Sequence, residues 1–323
     1  MKKLTKGKGL LGVLLTLVVL CALVVPAAIP APASVADGTS WEQFHGDTAH
    51  TGYSASTAPD TNELVWVSED IGAVPSSSVV VANGRIFVNC GDHLTCLSES
   101  DGTTLWSEPV LGSTVWGSWL SPAYDNGKVF ISGAKVYCFS EDGGSPLWTY
   151  DLPSDACNGG PTVADGKVFV SDWEGHHYYC LDENTGEELW RFEVQGYAQG
   201  TPAYADGKVY LTSWEYVGDH VYCVDAETGE EIWHQDGLTY DTCGSATVAD
   251  GKVFVTTYNF YGDGEIAALD ASDGHVVWGP VTIQRTDSTP AYADGKLYVC
   301  GGCVGYSDLQ TYCFDANTGA LIW

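Results

Sequence analysis

Six tryptophans, at positions 106, 148, 190, 233, 278 and 323, recur every 42 to 45 residues. Each lies four residues after a glycine: Gly102, Gly144, Gly186, Gly229, Gly274 and Gly319. Each also lies ten residues after a small residue: Cys96, Cys138, Cys180, Cys223, Ala268 and Cys313. A fixed repeat of this length means stacked copies of one supersecondary unit, because a single unit cannot bury its own apolar face.

Residues 201–237 show what the unit is. Thr201–Ala205 reads as a short strand and Asp206-Gly207 as a two-residue hairpin. Lys208–Thr212 alternates as a second strand, His220–Asp225 as a third, and Glu231-Ile232-Trp233 opens a fourth after the Thr228-Gly229 turn. The same hairpin signal returns at Asn83-Gly84, Asn126-Gly127, Asp165-Gly166, Asp250-Gly251 and Asp294-Gly295. The expected fold is all-β: a β-propeller of four-stranded antiparallel blades, with six blades in this chain. A β-solenoid is the alternative, but its coils are shorter and lack two hairpins per unit.

The N-terminus stands apart. Lys2, Lys3, Lys6 and Lys8 precede an apolar run from Leu10 to Val25, and small residues around Ala31–Ala36 follow. Residues 1–36 therefore read as an export signal, with an uncleaved anchor as the alternative and the only expected membrane contact. Residues 37–62 form a lead-in segment and 63–323 the propeller. The chain is expected to be secreted or exposed on the cell envelope.

The whole chain carries 42 acidic and 13 basic residues, for a net charge of −29. Without the four leader lysines, nine basic residues face the same 42 acidic ones, a net charge near −33. Such a surface repels nucleic acid and anionic membranes. A solvated acidic shell accounts for the excess; cation binding is the sharper reading, but no contiguous calcium-loop pattern supports it.

Two stretches carry the family resemblance. Pro202-Ala203-Tyr204-Ala205-Asp206-Gly207-Lys208-Val209-Tyr210 is followed by Cys223-Val224-Asp225-Ala226-Glu227-Thr228-Gly229-Glu230-Glu231-Ile232-Trp233. This pattern resembles the PQQ-like (pyrroloquinoline-quinone-type) propeller repeat, over residues 63–323. Trp41–Asp47 with His50–Tyr53 is similar to the lead-in of secreted members. The resemblance implies that Trp106, Trp148, Trp190, Trp233, Trp278 and Trp323 dock on neighbouring blades. It also implies a ring of seven or eight blades closed by an N-terminal strand. Asn62–Val67 reads as that strand, and the chain reads as C-terminally incomplete.

Within the family, dehydrogenases take PQQ with calcium, whereas a propeller lipoprotein of outer-membrane protein assembly is a scaffold. The dehydrogenase reading implies a calcium site, a catalytic Asp and, in many alcohol dehydrogenases, adjacent cysteines; no Cys-Cys pair occurs here. Only three arginines are present, and Arg285 alone falls in a loop where a trianionic cofactor would want support. No cofactor, catalytic residue or metal is expected.

The two faces of the disk differ. The first and third turns of each blade hardly vary in length. From hairpin Gly to the small third-strand residue, across the second turn, the count is 12, 11, 14, 16, 17 and 18. Trp173, Trp214, Tyr216, Tyr258, Phe260, Tyr261 and Tyr306 fall in these variable loops, and Trp116 and Trp119 in the longest inter-blade connection. Trp116, Trp119, Trp173, Trp214, Tyr216 and Tyr261 are the candidate binding residues, for a protein or glycan partner at the cell surface. Mutual packing of these rings is the plainer account.

Ten cysteines follow the leader. Five occupy the small-residue position and read as buried thiols. Export permits disulfides, and the matched offsets of Cys157 and Cys243 make Cys138–Cys157 and Cys223–Cys243 the preferred bridges. Cys90–Cys96 is a third candidate, and Cys313 has Cys300 or Cys303 as possible partners. Cys300-Gly301-Gly302-Cys303 has the gap of a metal half-site without a second pair, and His176-His177 is unspecific.

Overall fold

The structure is a computed structural model that describes residues 40–73, 77–112, 120–214, 221–259, 262–301 and 310–323. Six antiparallel sheets follow one another along the chain as blades 1 to 6, spanning 80–109, 123–151, 162–193, 203–235, 247–283 and 291–315. In blade 4 the strands are Ala203–Ala205, Lys208–Trp214, Val221–Asp225 and Glu231–Gln235, close to the sequence expectation. Blade 6 has three strands, its fourth reduced to a bridge between Phe314 and Leu321. No helix among the described residues is long and apolar enough to cross a membrane.

The core lies between blades. Five apolar clusters each join two consecutive blades; one packs Phe169, Tyr178 and Cys180 of blade 3 against Val209, Leu211 and Tyr222 of blade 4. The repeat spacing now has a geometric cause. The small residue lies directly across the ladder from the Trp, as in Cys96↔Trp106, Cys180↔Trp190 and Ala268↔Trp278. On its other side lies an aromatic of the second strand, as in Phe87↔Cys96 and Tyr210↔Cys223. The two flanking rings sit only 5.8–6.3 Å apart in all six blades. No larger side chain fits between them.

Each indole reaches across to the next blade. Trp106, Trp148, Trp190, Trp233 and Trp278 donate Nε1–H to the carbonyls of Glu141, Glu183, Ala226, Ala271 and Ala316, at 2.8–3.2 Å. A turn glycine of that blade lies flat on the indole. A Cβ on Gly229, for example, would come within 2.6 Å of Trp190, and its φ of +71° already disfavours a side chain. The third-turn Asp shapes the same corner: Asp182 Oδ1 accepts from Asn184 N, Thr185 N and Thr185 Oγ1, and Asp225 and Asp315 repeat the pattern. Those backbone donors hold the Asp182 carboxyl below its ordinary pKa.

Three expectations change here. In blade 2 the glycine on the ring is Gly143, not Gly144, because the turn places it one residue earlier. Trp323 is 60% exposed and donates no Nε1 hydrogen bond, while Trp66 takes up the docking position on blade 1, against Gly102 with Nε1 bonded to Glu99 O at 2.9 Å. Residues 62–67 otherwise form no ladder, and Leu64, Val65 and Val67 are exposed.

The expected bridges do not form either; Cys90, Cys96, Cys138, Cys157, Cys223 and Cys243 are thiols. Cys90 and Cys96 belong to opposite faces of one hairpin, in separate clusters, since Cys96 pairs with Phe87, an odd number of positions from Cys90. Cys138 and Cys223 are wedged between two rings, and Cys157 Sγ donates to Gly159 O at 2.9 Å. Burial pushes the thiols of Cys96, Cys138, Cys180 and Cys223 up to about 12, which leaves them inert. With a thiol reagent at pH 8, exposed Cys300 is expected to label at once and these four only on unfolding. Rapid native labelling of any of the four would contradict the packing.

Residues 41–53 close the middle of the ring. They pass the innermost strands of all six blades in order, bonding to the central residue of each. Trp41 exchanges backbone hydrogen bonds with Val81, and Glu42, Thr48, Ala49 and Thr51 accept from the N–H groups of Tyr124, Tyr204, Val248 and Tyr292, at 2.6–2.8 Å. At blade 3 the Gln43 amide substitutes for backbone, donating to Val163 O and accepting from Val163 N at 2.6 and 2.9 Å. Inward-facing strand N–H groups are thereby satisfied. Sharp turns at His45, Gly46, His50 and Gly52, all with positive φ, let thirteen residues follow so tight a path.

Candidate recognition site

On the face that carries the second turns and the inter-blade connections, the described residues offer two adjoining features. The first is an aromatic stack. Trp173 follows the second strand of blade 3, Trp214 ends the second strand of blade 4, and Tyr197 sits in the connection between them. Tyr197–Ala198 forms a short strand whose register sets Tyr197 opposite Trp214. Ring centroids lie 4.4 Å apart for Trp173–Tyr197 and 5.6 Å for Tyr197–Trp214, both stacked. His176 adds a fourth ring 5.2 Å from Tyr197, its Nδ1 held by Gly196 O at 2.6 Å. All four side chains are half-buried. The inner ring faces pack on each other, as the plainer account expected, and the half-buried rings keep part of their surface exposed.

The second feature is a cavity of about 430 Å³ where the inter-blade connections converge on the ring axis. Phe44 and His45 of the N-terminal segment contribute to its wall. A relay of hydroxyls organises the rim. Ser78 N donates to Ser121 Oγ, Gly160 N to Thr201 Oγ1, Thr201 N to Ser245 Oγ and Ser245 N to Thr289 Oγ1, each at 2.8–3.0 Å and each to the next blade. Among the described residues the relay is interrupted where Gly160 replaces a hydroxyl residue; there a Cβ would strike Ser121 O at 2.3 Å. Gln199 joins the two features: it lines the cavity, and its Oε1 accepts from Trp173 Nε1 at 2.7 Å.

Of the candidate binding residues, the structure brings Trp173 and Trp214 together; Trp116, Trp119, Tyr216 and Tyr261 lie outside the described residues, as do Phe260, Tyr306 and Cys303. Sequence reasoning missed Tyr197 and Gln199, which lie in a connection of ordinary length. Arg285 is stacked 6.0 Å from Tyr258. Three groups, Asp270, Asp273 and His275, lie close enough to share a cation, but they sit at an exposed turn and already bond to it and to each other.

The profile of the PQQ-type repeat family described as outer membrane protein assembly factor BamB matches residues 51–135, 111–179 and 132–323. The chain belongs to that family. Among solved structures, this PQQ-type propeller resembles a europium-containing methanol dehydrogenase, with a TM-score of 0.69, 16% identity, and 90% of this chain and 78% of that one covered. BamB from Moraxella catarrhalis gives a TM-score of 0.56 at 16% identity, covering 80% and 84% of the two chains. A quinohemoprotein alcohol dehydrogenase from Pseudomonas putida HK5 gives 0.59 at 13%, covering 88% and 72%. At these identities the shared property is the fold. No curated protein gives a significant match.

Proposed function

We propose that the protein is an exported, non-enzymatic PQQ-type β-propeller that serves as a binding or scaffold module at the cell surface, with its loop face taking a protein or glycan partner. The leader-like residues 1–36 carry the export reading. The observation that carries recognition is the Trp173–Tyr197–Trp214 stack, which places three large rings on the face where blade length drifts. Such rings supply contact area at low entropic cost and dominate many interfaces. The family's description as an outer membrane protein assembly factor supports a scaffold role.

The competing reading is a PQQ- and calcium-dependent dehydrogenase. PQQ carries three carboxylates, and the described cavity wall presents hydroxyls, amides, Asp287 and no Lys or Arg. That donor set does not fit the cofactor.

Replacing Trp173 and Trp214 by Ala, singly, is expected to weaken partner binding at least tenfold in a surface-partner and glycan screen while the fold persists. Unchanged binding in both variants counts against the loop face. PQQ- and calcium-dependent dye reduction by the purified protein would overturn the non-enzymatic reading.

A further inference from the structure

We infer that the axial cavity is a subsite for a neutral sugar, the terminal residue of a glycan whose next units lie on the Trp173–Tyr197–Trp214 stack. This rests on the recognition-face reading and names its ligand class.

Two buried polar atoms of the cavity wall lack a hydrogen-bond partner. Asn158 is only 4% exposed, yet its Oδ1 has no hydrogen-bond partner among the described residues. His45 Nδ1 is likewise unpartnered, and burial lowers the pKa of this imidazole. A buried carbonyl oxygen without a partner is costly and needs an explanation. A ligand hydroxyl donating to Asn158 Oδ1 supplies one.

The complementary donors are present. Thr201, Ser245 and Thr289 each spend an oxygen lone pair on a neighbour's backbone N–H, which leaves the hydroxyl proton to donate. Gln199 has its Oε1 committed to Trp173, which turns its NH2 into a donor. The wall thus holds both donors and acceptors, and the Phe44 ring adds an apolar surface.

This chemistry selects the ligand. An anion would meet no Lys or Arg among the described wall residues and would face Asp287. A hydrocarbon would strand the Asn158 oxygen and three hydroxyls. A sugar both donates and accepts at every hydroxyl and offers apolar C–H faces to a ring, and the cavity of about 430 Å³ holds one. The Gln199 link to Trp173 makes the cavity and the stack one continuous surface.

The test is a neutral-glycan array and calorimetry with the full chain, its Asn158→Leu and Trp173→Ala variants, and Thr201→Val beside Thr201→Ser. Because Asn158 Oδ1 has no partner among the described residues, Asn158→Leu should melt no lower than wild type. It should nevertheless bind the selected glycan at least tenfold more weakly. Thr201→Ser should bind as wild type and Thr201→Val should not. Glycan binding lost in Trp173→Ala but unchanged in Asn158→Leu and Thr201→Val overturns the subsite and leaves the recognition face standing. A protein partner that needs Trp173, with no glycan bound, does the same. Absence of any binding that depends on Trp173 overturns both.

Discussion

Trp233→Ala should cost about 3–5 kcal/mol of stability, whereas Trp323→Ala, at the same repeat position, should cost under about 0.5 kcal/mol. Trp233 is 6% exposed and packs in the cluster that joins blades 4 and 5. Its Nε1–H bonds to Ala271 O, Tyr210 lies 6.0 Å away and Gly274 rests on its face. Truncation empties a slot that neither the Cys223 thiol nor a glycine can fill, so cavity cost adds to lost burial. Trp323 touches the Tyr298 ring on one side and leaves 60% of its surface in water. Its backbone hydrogen bond with Cys313 survives the substitution. Urea-unfolding midpoints of the two variants give the comparison. Equal losses would mean that position in the repeat, not contact with a following blade, sets the energy.

What the sequence made legible follows the range of the interactions. The Asp-Gly and Thr-Gly turns are local: positive φ at Gly and side-chain capping by Asp act within four residues, so they print directly onto the chain. The Trp spacing is legible because the ladder fixes a ten-residue offset between Cys180 and Trp190 and its equivalents. The N-terminal segment was readable as a lead-in but not as the element that crosses six blades. Gln43 meets Val163 at a separation of 120 residues, and most of its neighbours bond through backbone, which leaves no side-chain pattern. Tyr197 was hidden for a related reason, since a two-residue strand has no periodicity to read. The Cys90–Cys96 pairing failed on parity, which only the observed register discloses. Half the candidate site was thus accessible from loop length and aromatic content, and the cavity behind it was not.

Acid should weaken the fold through His50. This side chain is fully buried in the segment that crosses the ring, at a φ of 60°, with Nδ1 3.0 Å from Ala246 O. Nε2 has only Thr162 Oγ1 at 3.5 Å, and that hydroxyl already donates to Pro202 O. Burial, reinforced by His45, pulls the imidazole from 6.5 down to about 3. The unfolded chain therefore takes up a proton as pH falls through 6.5, while the native state resists until about pH 3. Stability is fully present above the unfolded value and is lost progressively below it, by about 2 kcal/mol at pH 5 and about 4 kcal/mol by pH 3. Burial lowers His45 as well, which adds in the same sense. Asp125, pushed up to about 6 by burial and Glu183, works in the opposite sense and grows more favourable as pH falls. A His50→Asn variant separates these effects, because Asn tolerates positive φ and keeps a donor near Ala246 O without titrating. It should be about 1–2 kcal/mol less stable than wild type at pH 7.5, through lost packing. Between pH 7.5 and 5 its loss should be smaller than the wild-type loss by about 2 kcal/mol. Parallel profiles would show that His50 is not the proton acceptor that loosens the centre of the ring.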